Sequence, residues 1–309
     1  MRSHIIPTIV LGMLLSMIGC AAAGEEEARN GLLIDAAQLY NRLGDEDLII
    51  IHAAGDDETF REGHIPGARW ADWNRLNREV HGVAMSMPPV DEIVDLVREL
   101  GITSDSDVVI YDEVGGLQAA RLMVALEIVG LGDRISLLDG HLKGWQAFEG
   151  PLDDTQPEIE PSDFTPRTFN EKLLVDHRSM RSLIWLARHA GDAAGANLTL
   201  IDARPPEEYR GDSPGTDVDR PGHIPGAVNV FWEAHLRGAD DHRLRDRAEL
   251  ESLYREAGLE PGHTPIVYCR TGNQSSHTYF VLRYLGYQPR SYDGSFLQWH
   301  RDADAPVQR

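Results

Sequence analysis

The chain has 309 residues, enough for two domains of roughly 150 residues each. Hydrophobic residues make up 42% and charged residues 26%, the balance of an ordinary globular protein. With 29 Lys and Arg against 50 Asp and Glu the formal net charge is −21, and without a basic stripe this excludes a nucleic-acid partner.

Read from the amino terminus, Arg2 and His4 precede an apolar run from Ile5 to Ile18 that is too short, and too interrupted by Pro and Ser, for a spanning helix. It ends in "SMIGC", followed by "AAAGEEEARN". This resembles a bacterial lipoprotein signal, in which Cys20 becomes the lipidated first residue before a polar tether. An ordinary secretory signal cut near Ala21 to Ala23 is the alternative. Residues 1–24 are therefore read as leader and tether. The expected location is the cell envelope, as a periplasmic-facing lipoprotein whose only membrane attachment is the lipid, or as a secreted protein. The chain has two cysteines. With Cys20 lipidated or removed, Cys269 has no partner for an intrachain disulfide, and a lone thiol in an oxidising compartment needs a reason to be there.

From residue 31 onward the chain repeats itself. "GHIPGA" occurs at 63–68 and at 222–227, so His64 and His223 stand 159 residues apart. "LIIIHA" (48–53) matches "LTLIDA" (198–203). The segment 107–132 matches 264–288, and "LLDGHLKGW" (137–145) matches "SYDGSFLQW" (291–299). Four matches in one order at a near-constant offset mean a duplicated domain. Short Val/Ile/Leu-rich runs predict strands at 48–52, 107–111 and 134–138, and again at 198–202, 264–268 and 288–292. Helical periodicity marks 91–100 and 247–257 between them. Apolar strands alternating with helices indicate an α/β protein, each domain a parallel sheet flanked by helices. The Pro- and Asp-rich stretch "EGPLDDTQPEIEPSDFTPRTFN" (149–170) reads as an extended connection. The domains expected are 31–150 and 171–309, joined by a linker at 151–170.

Cys269 lies where the strand ending at Tyr268 gives way to a helix predicted to begin near Ser275. Open α/β sheets hold ligands at the carboxyl ends of their strands. The loop "CRTGNQ" can turn its backbone N–H groups toward one point, with Gly272 permitting tight curvature. The helix dipole and Arg270 add positive potential, which suits an anionic sulfur nucleophile.

Several motifs then converge: the two "HIPGA" segments, "DAR" (202–204), "EEYRG" (207–211), "CRTGNQS" (269–275) and "YDGS" (292–295). On these residues the chain resembles a tandem-domain rhodanese, a thiosulfate sulfurtransferase, over essentially all of 31–300. The resemblance implies that Cys269 carries sulfur as a persulfide, cradled by Arg270, Thr271, Gly272, Asn273 and Gln274. It implies that Arg204 helps bind the anionic donor at the pocket mouth, while Asp202 holds local geometry and His223 shapes a turn. The first repeat departs from the pattern, with Asp112 at the cysteine position, Ala54 at the arginine position and "DEVGGL" for the loop. A carboxylate cannot accept sulfane sulfur, so this half is expected to be inactive and to wall the cleft.

The implied reaction takes sulfur from thiosulfate to cyanide or a thiol in two covalent steps, with no metal and no organic cofactor. 3-Mercaptopyruvate sulfurtransferases share the fold but typically carry Cys-Gly-Ser-Gly in the loop. Arg270 and Thr271 favour the dianionic thiosulfate instead. A phosphatase of related fold would need an arginine six positions after the cysteine, where this chain has Ser275. A sulfur carrier or binding module at the envelope would keep the same loop and is separable only by turnover.

Overall fold

The protein is described here from a computed structural model that covers residues 31–80, 82–189 and 197–309. The leader and Cys20 lie outside these residues. Among the described residues no helix is long and apolar enough to cross a membrane.

The first repeat builds a five-stranded parallel sheet. Its strands are β1 (Leu33–Ile34), β2 (Leu48–Ala54), β3 (Arg69–Asp72), β6 (Asp107–Tyr111) and β7 (Ile135–Leu138), in the order β1-β7-β6-β2-β3. A separate antiparallel hairpin, β4 (Arg78–Val80) and β5 (Val83–Ser86), stands between β3 and β6 in the chain. The second repeat builds a four-stranded parallel sheet from β8 (Leu198–Asp202), β9 (Val228–Asn229), β10 (Thr264–Tyr268) and β11 (Arg290–Ser291), in the order β11-β10-β8-β9. In each sheet the strand preceding the cysteine-equivalent loop pairs with the strand ending in the "DAR"-equivalent segment: Ile51 with Ile110, and Ile201 with Val267. Both faces of these strands are covered, which is why Ile49, Ile50 and Ile51, and Val108, Val109 and Ile110, form continuous apolar runs without alternation.

Helices fill the connections. In the first repeat they are α1 (Ala36–Arg42), α2 (Glu58–Glu62), α3 (Val90–Glu99), α4 (Leu117–Ile128) and α5 (His141–Ala147). In the second they are α6 (His177–His189), α7 (Pro206–Arg210), α8 (Arg247–Glu256), α9 (Asn273–Tyr284) and α10 (Ser295–Arg301). The stretch 149–170 is tied mainly to the first repeat. His64 and Asp153 exchange backbone hydrogen bonds, the Ser162 amide donates to Arg98 O, and Phe164 is buried.

Two elements position everything that follows. α4 and α9 are each twelve residues long, and each starts directly after a glycine in the left-handed region, Gly116 at φ 94° and Gly272 at φ 103°. The helices pack against each other across the junction of the repeats, burying Leu122, Met123, Leu126, Phe280 and Val281 in one core shared by both halves. At the eleventh position of each helix, Glu127 and Arg283 form a largely buried ion pair. Trp145 and Trp299, at matching places in the repeats, are both fully buried and serve packing.

Candidate active site

Cys269 follows β10 at the carboxyl end of the second sheet and is only 1% exposed. Its Sγ accepts a hydrogen bond from the Gly272 amide at 3.0 Å. Gly272 can aim that amide inward because its left-handed φ is open to glycine at no steric cost. Its carbonyl is pulled the other way, accepting from the Ser276 amide (3.1 Å) and from both the Ser275 and Ser276 hydroxyls (2.9 and 2.8 Å). The loop is stitched to α10, since Phe296 N donates to Cys269 O (2.9 Å) and Leu297 N to Arg270 O (3.0 Å). The helix begins at Asn273, two residues before its expected start at Ser275, because Gly272 supplies the turn and caps it.

The first repeat shows what such a loop holds. Asp112 is fully buried and its carboxylate takes four backbone N–H donors: Val114 (3.1 Å) and Gly116 (2.9 Å) on Oδ1, Gln118 (2.9 Å) and Ala119 (3.0 Å) on Oδ2. The strand-to-helix loop is thus an anion cradle, occupied in this half by the chain's own side chain.

Of the residues expected to hold the transferred sulfur, the structure brings five together. Arg270, Thr271, Asn273 and Gln274 are half-buried around the loop, with Gly272 buried at its bend. The Arg270 side chain is 36% exposed and lies 3.9 Å from Glu208, which extends from α7. Gly215 closes over both groups so tightly that a Cβ there would meet Arg270 Cδ and Glu208 Oε2 at 2.8 Å. Burial lifts the Glu208 carboxyl above the usual range, opposed by the nearby charges of Arg270 and Arg204. The Asn273 amide nitrogen is 4.0 Å from Met85 Sδ, a contact made from the first repeat.

Arg204 is not at a pocket mouth. It is 1% exposed, with Nε and Nη2 on Asp202 (2.6–3.1 Å), Nη2 also on Gly222 O (2.8 Å), and its guanidinium 4.0 Å over the Phe296 ring. Two residues apart at the strand end, Asp202 and Arg204 share one side, and the carboxylate claims the cation. The position expected for Arg204, at the pocket mouth, is corrected by this burial. His223 donates its amide to Gln308 O and is stacked on Tyr209, and so shapes the turn. Large cavities lie elsewhere: one of about 580 Å³ between Asp139, Lys143 and Arg243, and one of about 450 Å³ between Val114 and Trp232.

Sequence reasoning missed Glu208, Asp293 and Arg121. Arg121 Nη1 donates to Asp293 Oδ1 at 2.8 Å, and Asp293 Oδ2 accepts from Met87 N at 2.6 Å. The signal for Arg121 was its place as the one cation in the apolar run 117–126.

A duplicated parallel α/β domain, with a cysteine cradled at a strand end in one copy, is the architecture of a rhodanese-like protein. The model of the rhodanese-like domain matches residues 35–148 and 183–302, and the chain belongs to that family. Among its relatives is a thiosulfate sulfurtransferase of Azotobacter vinelandii, 32% identical, covering 90% of this chain and 97% of the relative. A sulfur carrier protein, TtuD, of Thermus thermophilus is 29% identical over 89% of this chain and 96% of its own. Of solved structures, the 3-mercaptopyruvate sulfotransferase SseA from Escherichia coli superposes with a TM-score of 0.72 at 26% identity, over 85% of this chain and 98% of that one.

Proposed function

We propose that the protein is a thiosulfate sulfurtransferase in which Cys269 is the nucleophile. The observation that carries this reading is the likeness of the two strand-to-helix loops: the one that holds the Asp112 carboxylate with four amides has as its counterpart a loop whose Gly272 amide, after the same left-handed glycine turn, donates to the Cys269 sulfur. The Cys269 thiolate attacks the outer sulfur of thiosulfate, the S–S bond breaks, and sulfite leaves with the bonding pair. Cyanide or a thiolate then attacks the terminal sulfur of the persulfide, forming thiocyanate or an acceptor persulfide and returning the thiolate. Backbone amides fixed before reaction stabilise the anionic persulfide without reorganising. Arg270, partly exposed at the loop, receives the anionic donor. Arg204, paired to Asp202, stiffens the strand end. An accessible cation beside the sulfur supports thiosulfate over 3-mercaptopyruvate.

Thiocyanate formation from thiosulfate and cyanide tests the reading, beside Cys269→Ser and a parallel mercaptopyruvate assay. Turnover with thiosulfate, lost in Cys269→Ser, is expected. Mercaptopyruvate turnover alone would replace the donor and keep the mechanism. A folded protein that turns over neither would leave a sulfur carrier, as the Thermus relative is named, or a binding module. For the amino terminus we propose export, with Cys20 as the lipid anchor. A Cys20→Ser variant should then move from the detergent phase to the aqueous phase.

A further inference from the structure

We propose that Arg121, contributed by the first repeat, is a positioning residue for the Cys269 loop. The proposal rests on the sulfurtransferase reading only for what the loop carries, since its geometry concerns the cysteine alone. Arg121 is the fifth residue after Gly116 and His277 the fifth after Gly272, and each crosses to the other's loop. A Cβ on Gly272 would meet Arg121 Nη1 at 2.8 Å, and a Cβ on Gly116 would meet His277 Cδ2 at 2.9 Å, beside His141 Nε2 of its own repeat at 2.6 Å. The duplication thus uses one contact twice, with a cation facing the cysteine loop and a neutral imidazole facing the carboxylate loop. Burial holds His277 near a pKa of about 3, so it is uncharged at neutral pH.

Arg121 is fully buried and held from three directions. Nη1 donates to Asp293 (2.8 Å), and Nη2 donates to Met85 O (2.7 Å) and to Leu76 O (3.4 Å). Met85 itself sits at φ 64°, a left-handed conformation that a non-glycine residue adopts at a cost and that the Arg121 hydrogen bond helps to hold. Asp293 is two residues before Ser295, whose hydroxyl faces the Cys269 amide at 3.4 Å. The fork therefore braces the α-carbon of Gly272 from one side while joining the two structures that flank the loop. With Gly272 pinned, its N–H stays on Cys269 Sγ. A lysine keeps the charge but cannot reach Asp293, Met85 O and Leu76 O together.

The test uses the full chain and needs no sulfur donor: the second-order rate of Cys269 alkylation by iodoacetamide in the parent, Arg121→Lys and Arg121→Met. Thermal midpoints are measured alongside, with kcat and KM for thiosulfate. Arg121→Lys is expected to fold, to alkylate at least fivefold more slowly, and to lose at least tenfold in kcat with KM within threefold. An unchanged or faster alkylation rate in a folded Arg121→Lys overturns the proposal. If Arg121→Met does not fold, Arg121→Lys decides. A parent that transfers no sulfur, yet whose alkylation slows in Arg121→Lys, sinks the functional reading and supports this one.

Discussion

Charge at the mouth of the cysteine loop is set by Arg270 and Glu208, 3.9 Å apart beneath Gly215. Under the proposed function, Glu208 would compete with an anionic donor for Arg270. Its carboxyl, raised by burial, is ionised above its folded-state pKa and neutral below it. As pH falls through that pKa the competing charge disappears, Arg270 is released to the donor, and KM for thiosulfate should fall. Glu208→Gln should fix the low-KM state and flatten this part of the profile. At a partly solvated site one such charge is worth about 1 kcal/mol, roughly a fivefold change in KM. Equal KM-pH profiles for the parent and Glu208→Gln would remove Glu208 from donor binding. Gly272→Ala should fail for a different reason, because the added methyl meets Arg121 in a backbone conformation that costs about 1–2 kcal/mol for an L-residue. A lower thermal midpoint together with lost turnover is expected.

At the scale of elements, the cap on α4 matters to both halves. Removing the Asp112 carboxylate leaves four amides without an acceptor, so Asp112→Ala should cost about 2–4 kcal/mol. Because α4 carries Arg121, turnover at Cys269 should fall as well. A variant that melts early but keeps full kcat would show that the two loops are uncoupled. The strands around these loops were legible in the sequence because parallel strands covered on both faces leave uninterrupted Val and Ile runs. β1, β3, β9 and the 78–86 hairpin were not, being two to four residues long and formed by edge pairing that no local pattern announces. The cysteine loop was legible down to its glycine. The partners from elsewhere were not, since Glu208 and Arg121 acquire their meaning only through tertiary contacts. The "DAR" segment named Arg204 but not its direction, which Asp202 decides.

For the whole molecule, the shared core of α4 and α9 makes each half incomplete. A protein of residues 171–309 alone would expose the apolar surface of α9 that packs against α4, and should aggregate on size-exclusion chromatography. Breaking the junction ion pair from one side, as in Glu127→Leu, leaves Arg283 mostly buried without its partner and should cost about 3–5 kcal/mol. The double variant Glu127→Leu/Arg283→Leu should recover much of that loss in the denaturation midpoint.

The crossing of fifth-position side chains between α4 and α9 also says how the molecule is held as a unit. Equivalent surfaces of the two repeats meet each other, an arrangement like that of a two-fold homodimer but made within one chain, sewn end to end. The seam is dispensable to the extent that the interface does the holding. Cleavage near Gln156, where the connection is exposed, should leave two fragments that co-elute and remain competent. The two halves joined by that seam differ in what their loops hold: the chain's own Asp112 carboxylate on one side, the Cys269 sulfur on the other.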